Sequence, residues 1–305
     1  MTVAAGYVCS EGVILCADTQ ETVPGFTKTD TTKLVQFSTQ GVNLVFAGAG
    51  NNAVQIDETV WEVARRAEES SPSNATELNV CVRERLLELF PKHSYPRERV
   101  EVDVLMAGQW PNETCLFRIA DCNVAPVATH ACLGSGLILG SQLFQRHYDH
   151  KNSLSAASIV SIYVLHHVKR WVDGCGGKTD IAIVPKGGQI AFMSSDQVEK
   201  LEKYCTSYDD AVKDLLVNIP RTPASLGMFD AYVLQAKNKL ALARLSFQDM
   251  EQSMREFAVH MGISYEDLMQ SADESLAKIG ITPSISQTLE DRPSPYAEGS
   301  QGTES

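Results

Sequence analysis

The sequence predicts an α+β fold in which antiparallel hairpins and pairs of long helices follow one another in blocks. Three observations carry this. Short apolar runs with turn residues between them come in pairs, as in "VAAGYVCSEGVILCAD" and "KLVQFSTQGVNLVFAG". Stretches of helical period come in pairs too, at about 51–90 and 140–173. The order is strands, two helices, strands, two helices, strands, not the strict strand–helix alternation of a doubly wound sheet. Two sheets stacked between two helix layers, a four-layer αββα sandwich, would bury every apolar face.

Residues 2–9 and 12–17 read as a hairpin around Ser10-Glu11-Gly12. A second hairpin is expected at 33–38 and 42–48, with "TQG" at its turn. The segment 51–69 has helical periodicity with Val54, Ile56, Val60, Trp61 and Ala64 as apolar anchors. A second helix follows, capped near Asn74 or Thr76 and stopped by Pro91. "VEVDVLMAG" and "ETCLFRIA" read as strands, and "VAPVATHACLG" as a further apolar run leading to Ser135. "GSQLFQRHY" and "SAASIVSIYVLHHVKRWVD" read as two helices, and "KTDIAIVPKGGQIAFMS" as a hairpin turning at Gly187-Gly188. Beyond about 196, "DQVEKLEKYC", "SYDDAVKDLLVNI" and a charged, Ala/Leu-rich span to about 260 read as helical. The expected organisation is a catalytic-type domain over 2–205, a helical C-terminal extension over 206–281 and a disordered acidic tail over 282–305. The tail is rich in Pro, Ser and Glu and has little to bury.

With 305 residues and 44% hydrophobic composition the chain can bury a large core. Its formal net charge of −12 argues against nucleic acid or an anionic membrane as partner. The basic pairs Arg65-Arg66 and Lys169-Arg170 fall in helical stretches and read as solvated faces. The eight cysteines form no CxxC pair and no Cys/His metal spacing, and several lie in apolar strand patterns. Buried thiols in a reducing compartment are expected. The opening residues lack a basic region followed by an apolar core, and no apolar run is long enough to span a membrane. A cytoplasmic location is expected.

The chemistry-bearing residues begin with Thr2. A hydroxyl needs a base beside it, and the α-amine of an N-terminal threonine is one. Asp18 ends the second strand and Lys33 opens the third, so both can meet Thr2 at one rim of a sheet. Lys33 would depress the amine's pKa and orient the hydroxyl, and Asp18 would keep Lys33 charged. His166 and His167 are adjacent on a helix, where they point in different directions, so a metal site is not expected there.

Thr directly after Met, "GVILCAD", a Lys-apolar strand, "FAGAG", "LGSG" and paired glycines before a hairpin occur in that order. As an ordered set, over residues 2–205, they resemble the proteasome β-type subunits. They resemble still more the bacterial proteasome-like peptidase that works with an ATPase ring. Both belong to the N-terminal nucleophile (Ntn) hydrolases. The resemblance implies an Ntn-type sandwich and a threonine-type endopeptidase acting on peptides or unfolded proteins. It also implies a homo-oligomeric ring, a possible ATPase partner, and neither cofactor nor metal. It makes Thr2 the nucleophile, exposed once Met1 is removed, supported by Asp18, Lys33, Ser135 and Asp173. Gly48 and Ala49 supply oxyanion donors. The chain departs from the pattern three times: the interval from Asp18 to Lys33 is shorter by one, Cys175 stands where a serine precedes the paired glycines, and the interval from Asp173 to Gly176 is shorter by one. Two other readings stay open: a non-catalytic ring or interaction subunit, and an Ntn amidase acting on a small-molecule amide.

Overall fold

A computed structural model of the chain describes residues 2–22, 28–50, 52–90, 102–218 and 233–234. The tail at 282–305 and most of the segment 206–281 lie outside the described residues. The fold is mixed α/β, with antiparallel sheets and, among the described residues, five helices.

The first sheet is built from β1 (Val3–Cys9), β2 (Gly12–Asp18), β10 (His130–Gly134), β11 (Thr179–Pro185) and β12 (Ala191–Phe192), in the order β10-β1-β2-β11-β12. The second holds β5 (Leu34–Ser38), β6 (Asn43–Gly50), β7 (Val102–Gln109), β8 (Thr114–Ala120) and β9 (Asn123–Pro126), in sequence order. Every neighbouring pair in both is antiparallel. A third, two-stranded sheet pairs β3 (Gln20–Thr22) with β4 (Lys28–Asp30). That segment read as plain loop in the sequence.

β1, and β2 up to its final residue Asp18, are apolar because both faces of their sheet are covered. Successive side chains of a strand point to opposite faces. Val3, Ala5, Tyr7, Ile14, Cys16, Ile181 and Ile183 accordingly join one core with residues of α4 (Leu154–Trp171), such as Leu165 and Val168. The residues between them, Ala4, Val13, Leu15, Ala17, Ala182 and Val184, form another core with Val45, Ala47, Leu105, Ala107 and Leu116 of the second sheet. The other face of that sheet, with Leu44, Phe46, Val104 and Met106, packs on α1 (Ala53–Ser70) and α2 (Ala75–Leu89).

The helices start where the sequence places caps. The Asn52 side chain accepts from the Gln55 amide on α1, and the Asn74 side chain accepts from the Glu77 amide on α2. α1 presents Val60, Val63, Ala64 and Ala67 to the core. Two of its expected anchors do not belong to that face: Val54 is 74% exposed and Trp61 64% exposed. Trp61 packs edge-on against Phe37 of β5 at the surface. α3 (Leu137–His147) and α4 lie on the first sheet with α5 (Ser195–Asn218) beside them. α5 covers both segments that the sequence reads as helical and runs unbroken through position 205, where the catalytic-type domain was expected to end. The Thr206 and Ser207 hydroxyls bond back to the carbonyls of Glu202 and Lys203, so their polar groups are satisfied inside the helix. Among the described residues no helix is long and apolar enough to cross a membrane.

Candidate active site

The start of β1, the end of β2 and the residue before β5 meet at one rim. Thr2 is 7% exposed and Asp18 is fully buried. The Thr2 hydroxyl donates to Asp18 Oδ1, and Lys33 Nζ donates to the same Thr2 oxygen. Lys33 Nζ also donates to Asp18 Oδ1 at 2.7 Å and to the Gln20 carbonyl at 2.6 Å. An ammonium has three protons, and here three acceptors surround it. Asp18 is equally engaged. Its Oδ1 accepts from the Val3 amide at 3.0 Å, and its Oδ2 accepts from the Gly176 amide at 2.9 Å.

The backbone of Thr2 is fixed from the other side. Ser135 N donates to the Thr2 carbonyl at 2.9 Å, and Val3 lies opposite Gly134 in the β1–β10 ladder. Gly134 has φ +76°, and a Cβ built there would sit 2.2 Å from Thr2 O and 3.2 Å from the Ala49 Cβ. Only glycine suits both the backbone and the space. Ser135 itself is exposed and reaches Thr2 through its backbone amide.

β6 runs past the end of β5. The last β5–β6 pair is Leu34 with Ala47, so the next step of the register sets Lys33 opposite Gly48. Gly48, Ala49 and Gly50 pair with Val104, Asp103 and Val102 of β7 alone among the described strands. Their other edge is open on the Lys33 side. Gly48 is also a packing requirement, because a Cβ there would lie 2.3 Å from Ile56 Cγ2 of α1.

The structure thus brings Thr2, Asp18 and Lys33 together, with Ser135 on the Thr2 carbonyl and Ala49 alongside. Asp173 is exposed, and among the described residues no hydrogen bond or ion pair joins it to Thr2, Asp18 or Lys33. Cys175 is buried close by, with the Gly136 amide facing its sulfur. Burial, followed by the charge of Asp18, pushes its thiol up to about 11, so it is an uncharged thiol near neutral pH. His166 and His167 pack as an edge-to-face pair at 5.6 Å, with His167 against Tyr163.

Four contributors escaped the sequence reading. Gln20 supplies the carbonyl that takes Lys33, and Gly134 and Gly176 supply backbone positions. Asp180 is the fourth. Burial raises its carboxyl above the usual range, opposed by Lys178 and by the Lys33 backbone amide that faces it. Its Oδ2 is buried without a hydrogen-bond partner. The available signal was an acid inside the apolar run "TDIAIVP".

No family model and no curated protein matches the sequence. Solved structures do match the fold. Among them are several forms of Anbu. The Gly-1 mutant of Anbu from Hyphomicrobium sp. strain MC1 has TM-score 0.60 at 16% identity, covering 72% of this chain and all of that one. Anbu (ancestral beta-subunit) from Yersinia bercovieri has TM-score 0.57 at 18% identity, covering 74% and 100%. Anbu from Pseudomonas aeruginosa, solved as a helical assembly, has TM-score 0.59 at 15% identity, covering 75% and 100%. These neighbours correct the resemblance read from the sequence. They are Anbu, not an ordinary proteasome β-type subunit or the bacterial proteasome-like peptidase of an ATPase ring. The quoted motifs could not make that distinction, because "GVILCAD" and "FAGAG" report strands packed between layers, a demand that any protein of this architecture meets.

Proposed function

We propose that this chain is a threonine-type Ntn hydrolase that cleaves amide bonds of peptides through Thr2. The observation that supports it most is the convergence of Asp18 Oδ1 and Lys33 Nζ on the Thr2 hydroxyl oxygen. In this reading Met1 is removed and the Thr2 α-amine becomes free. The three stacked cores support a four-layer αββα sandwich as its frame.

The chemistry follows from the charges. The Lys33 ammonium lowers the cost of removing the hydroxyl proton, and the α-amine accepts that proton. Thr2 Oγ1 bonds to the substrate carbonyl carbon. Negative charge on the carbonyl oxygen is met by a backbone N–H of the Gly48–Ala49 pair, the one of the two that faces away from β7, since successive N–H groups of a strand point to opposite edges. One such donor is worth about 3 kcal/mol. The tetrahedral species then expels the amine product, which takes the proton, and water hydrolyses the remaining ester. Ser135 and Asp173 are assigned supporting places around the α-amine. No metal or organic cofactor takes part in these steps.

The assembly would be homo-oligomeric, by analogy with the helical assembly of the Pseudomonas aeruginosa neighbour. A second reading, a non-catalytic assembly subunit, is favoured by the near-complete burial of Thr2 and the distance of Asp173 from hydrogen-bond reach. A third, a small-molecule amidase, shares the nucleophile. Incubation with a peptide vinyl sulfone followed by mass spectrometry tests the first reading. An adduct on Thr2, with Met1 gone, is expected. Met1 retained with no adduct would leave the non-catalytic reading. Turnover of small amides without turnover of peptides would select the third.

A further inference from the structure

The amide that holds Asp18 Oδ2 belongs to Gly176, in the connection between α4 and β11. That connection is itself fastened from outside the site. The next carbonyl, Gly177 O, accepts from Lys169 Nζ at 3.1 Å. Lys169, in the last turn of α4, also donates to Glu202 Oε1 of α5 at 2.5 Å. The same Glu202 oxygen accepts from Thr179 Oγ1 at 2.7 Å. Thr179 is the first residue of β11, buried, and lies directly opposite Asp18 in the β2–β11 ladder. One carboxylate oxygen on α5 thereby secures both sides of residue 178.

The Lys169–Glu202 and Thr179–Glu202 bonds are sheltered, while the Lys169–Gly177 bond lies at the surface. The Lys169 and Glu202 side chains are 10% and 21% exposed, unlike the surface pair Lys203–Glu199 on the same helix at 74% and 65%. An exposed pair contributes little, whereas a sheltered one with every partner met fixes geometry. The two oxygens of Asp18 also divide their tasks. Oδ1 serves Thr2, Val3 and Lys33, and Oδ2 is set by Gly176. The position of the 176–179 backbone therefore sets the rotation of the Asp18 carboxylate, and with it the aim of the Thr2 hydroxyl.

We propose that Glu202 is a positioning residue: through Lys169 and Thr179 it holds the Gly176 amide against Asp18, so that the seating of α5 controls the alignment of Thr2. This rests on the reading of Thr2 as nucleophile. A clamp that merely ties α5 to α4 would leave the 173–178 backbone unaffected by loss of the carboxylate.

The test uses the full chain with Glu202→Ala and Glu202→Gln, read by hydrogen exchange of the peptide spanning 173–178 and by steady-state cleavage of a fluorogenic peptide. Loss of the carboxylate in Glu202→Ala should speed exchange there about tenfold, the equivalent of one lost hydrogen bond. It should lower kcat about tenfold with KM unchanged, because misaligned groups cost rate rather than binding. Glu202→Gln keeps an acceptor for Thr179 and should recover about half of each effect on a logarithmic scale. Unchanged exchange over 173–178 in a folded Glu202→Ala variant would overturn the proposal, as would a rise in KM alone. If Glu202→Ala does not fold, Glu202→Gln decides: wild-type exchange and kcat would overturn it. Failure of the nucleophile reading shows separately, as absence of vinyl sulfone labelling at Thr2 in the wild type. The catalytic half of the proposal then falls with it, and exchange alone decides whether α5 holds the 173–178 backbone.

Discussion

Lys33 Nζ lies 2.7 Å from Asp18 Oδ1, and both groups touch one further atom, the Thr2 hydroxyl oxygen. Asp18 has no exposure to water, so its charge is tolerated only because Lys33 and the Val3 and Gly176 amides surround it. Removing the cation strands a buried carboxylate. Lys33→Ala should destabilise the fold by about 3 kcal/mol and abolish labelling of Thr2. Lys33→Arg should restore stability only in part, since a planar guanidinium cannot place three donors on three converging acceptors. Urea denaturation of the three proteins checks the order, and a Lys33→Ala variant as stable as wild type would show that Asp18 is not charged.

Thr2→Ala removes the hydroxyl and the Cγ2 methyl at a strand start. Lys33 loses one acceptor and keeps two, Asp18 and the Gln20 carbonyl. The expected outcome is complete loss of peptide cleavage with a change in stability of about 1 kcal/mol. Cleavage that persists at the wild-type rate would put the nucleophile elsewhere.

Much of this site was legible in the sequence, because its three principal residues sit where strands end. Asp18 closes a run of seven residues that is buried throughout, and Lys33 precedes another strand. The two sheets were legible for a related reason: the parity that sends Ile14 and Cys16 to one core and Val13 and Leu15 to the other leaves an uninterrupted apolar run. What escaped was held by contacts that no periodicity encodes. β3 and β4 are three residues each, and β4 is tied back through Asp30, which accepts from the Thr19 hydroxyl. Gln20 acts through its main chain, so its side-chain type carries no signal. Val54 and Trp61 match the helical period yet face outward. Amphipathic spacing fixes which residues share a face, and tertiary packing decides how wide the buried stripe is.

Gly134→Ala should be among the most damaging single-methyl additions in the chain. The residue has φ +76°, and the new Cβ would meet the Thr2 carbonyl oxygen at 2.2 Å. Positive φ alone costs a non-glycine residue about 1 kcal/mol, and the clash must displace Thr2 or the β10 end. A loss of at least about 2 kcal/mol is expected together with loss of Thr2 labelling. Thermal melting and adduct mass spectrometry on one sample measure both. A variant with normal melting and normal labelling would mean that the Thr2–Gly134 approach is not a feature of the folded protein.

The last prediction concerns acid. Burial lowers the pKa of His130, His147 and His166 below the ordinary 6.5. Arg146 and His167 add to this at His147, while at His166 the charge of Glu202 opposes it. A group with a depressed folded pKa that is charged when protonated binds fewer protons folded than unfolded, so stability rises with pH through that window. Going the other way, the fold should lose stability as pH falls from about 7 through 6.5 and below. Asp180, raised by burial, acts in the opposite sense from its ordinary 3.8 upward, so the histidine effect is read by comparing two proteins that share Asp180. His130 offers a clean handle. Its ring stacks on Phe144 at 5.5 Å, and its Nδ1 is buried without a partner. His130→Phe keeps the stacking, removes the unsatisfied nitrogen and removes one titration. It should stabilise the protein by about 1 kcal/mol at pH 7, and its melting temperature should fall less than that of the wild type between pH 7 and pH 5. Parallel pH profiles for the two proteins would show that His130 does not contribute to the acid sensitivity.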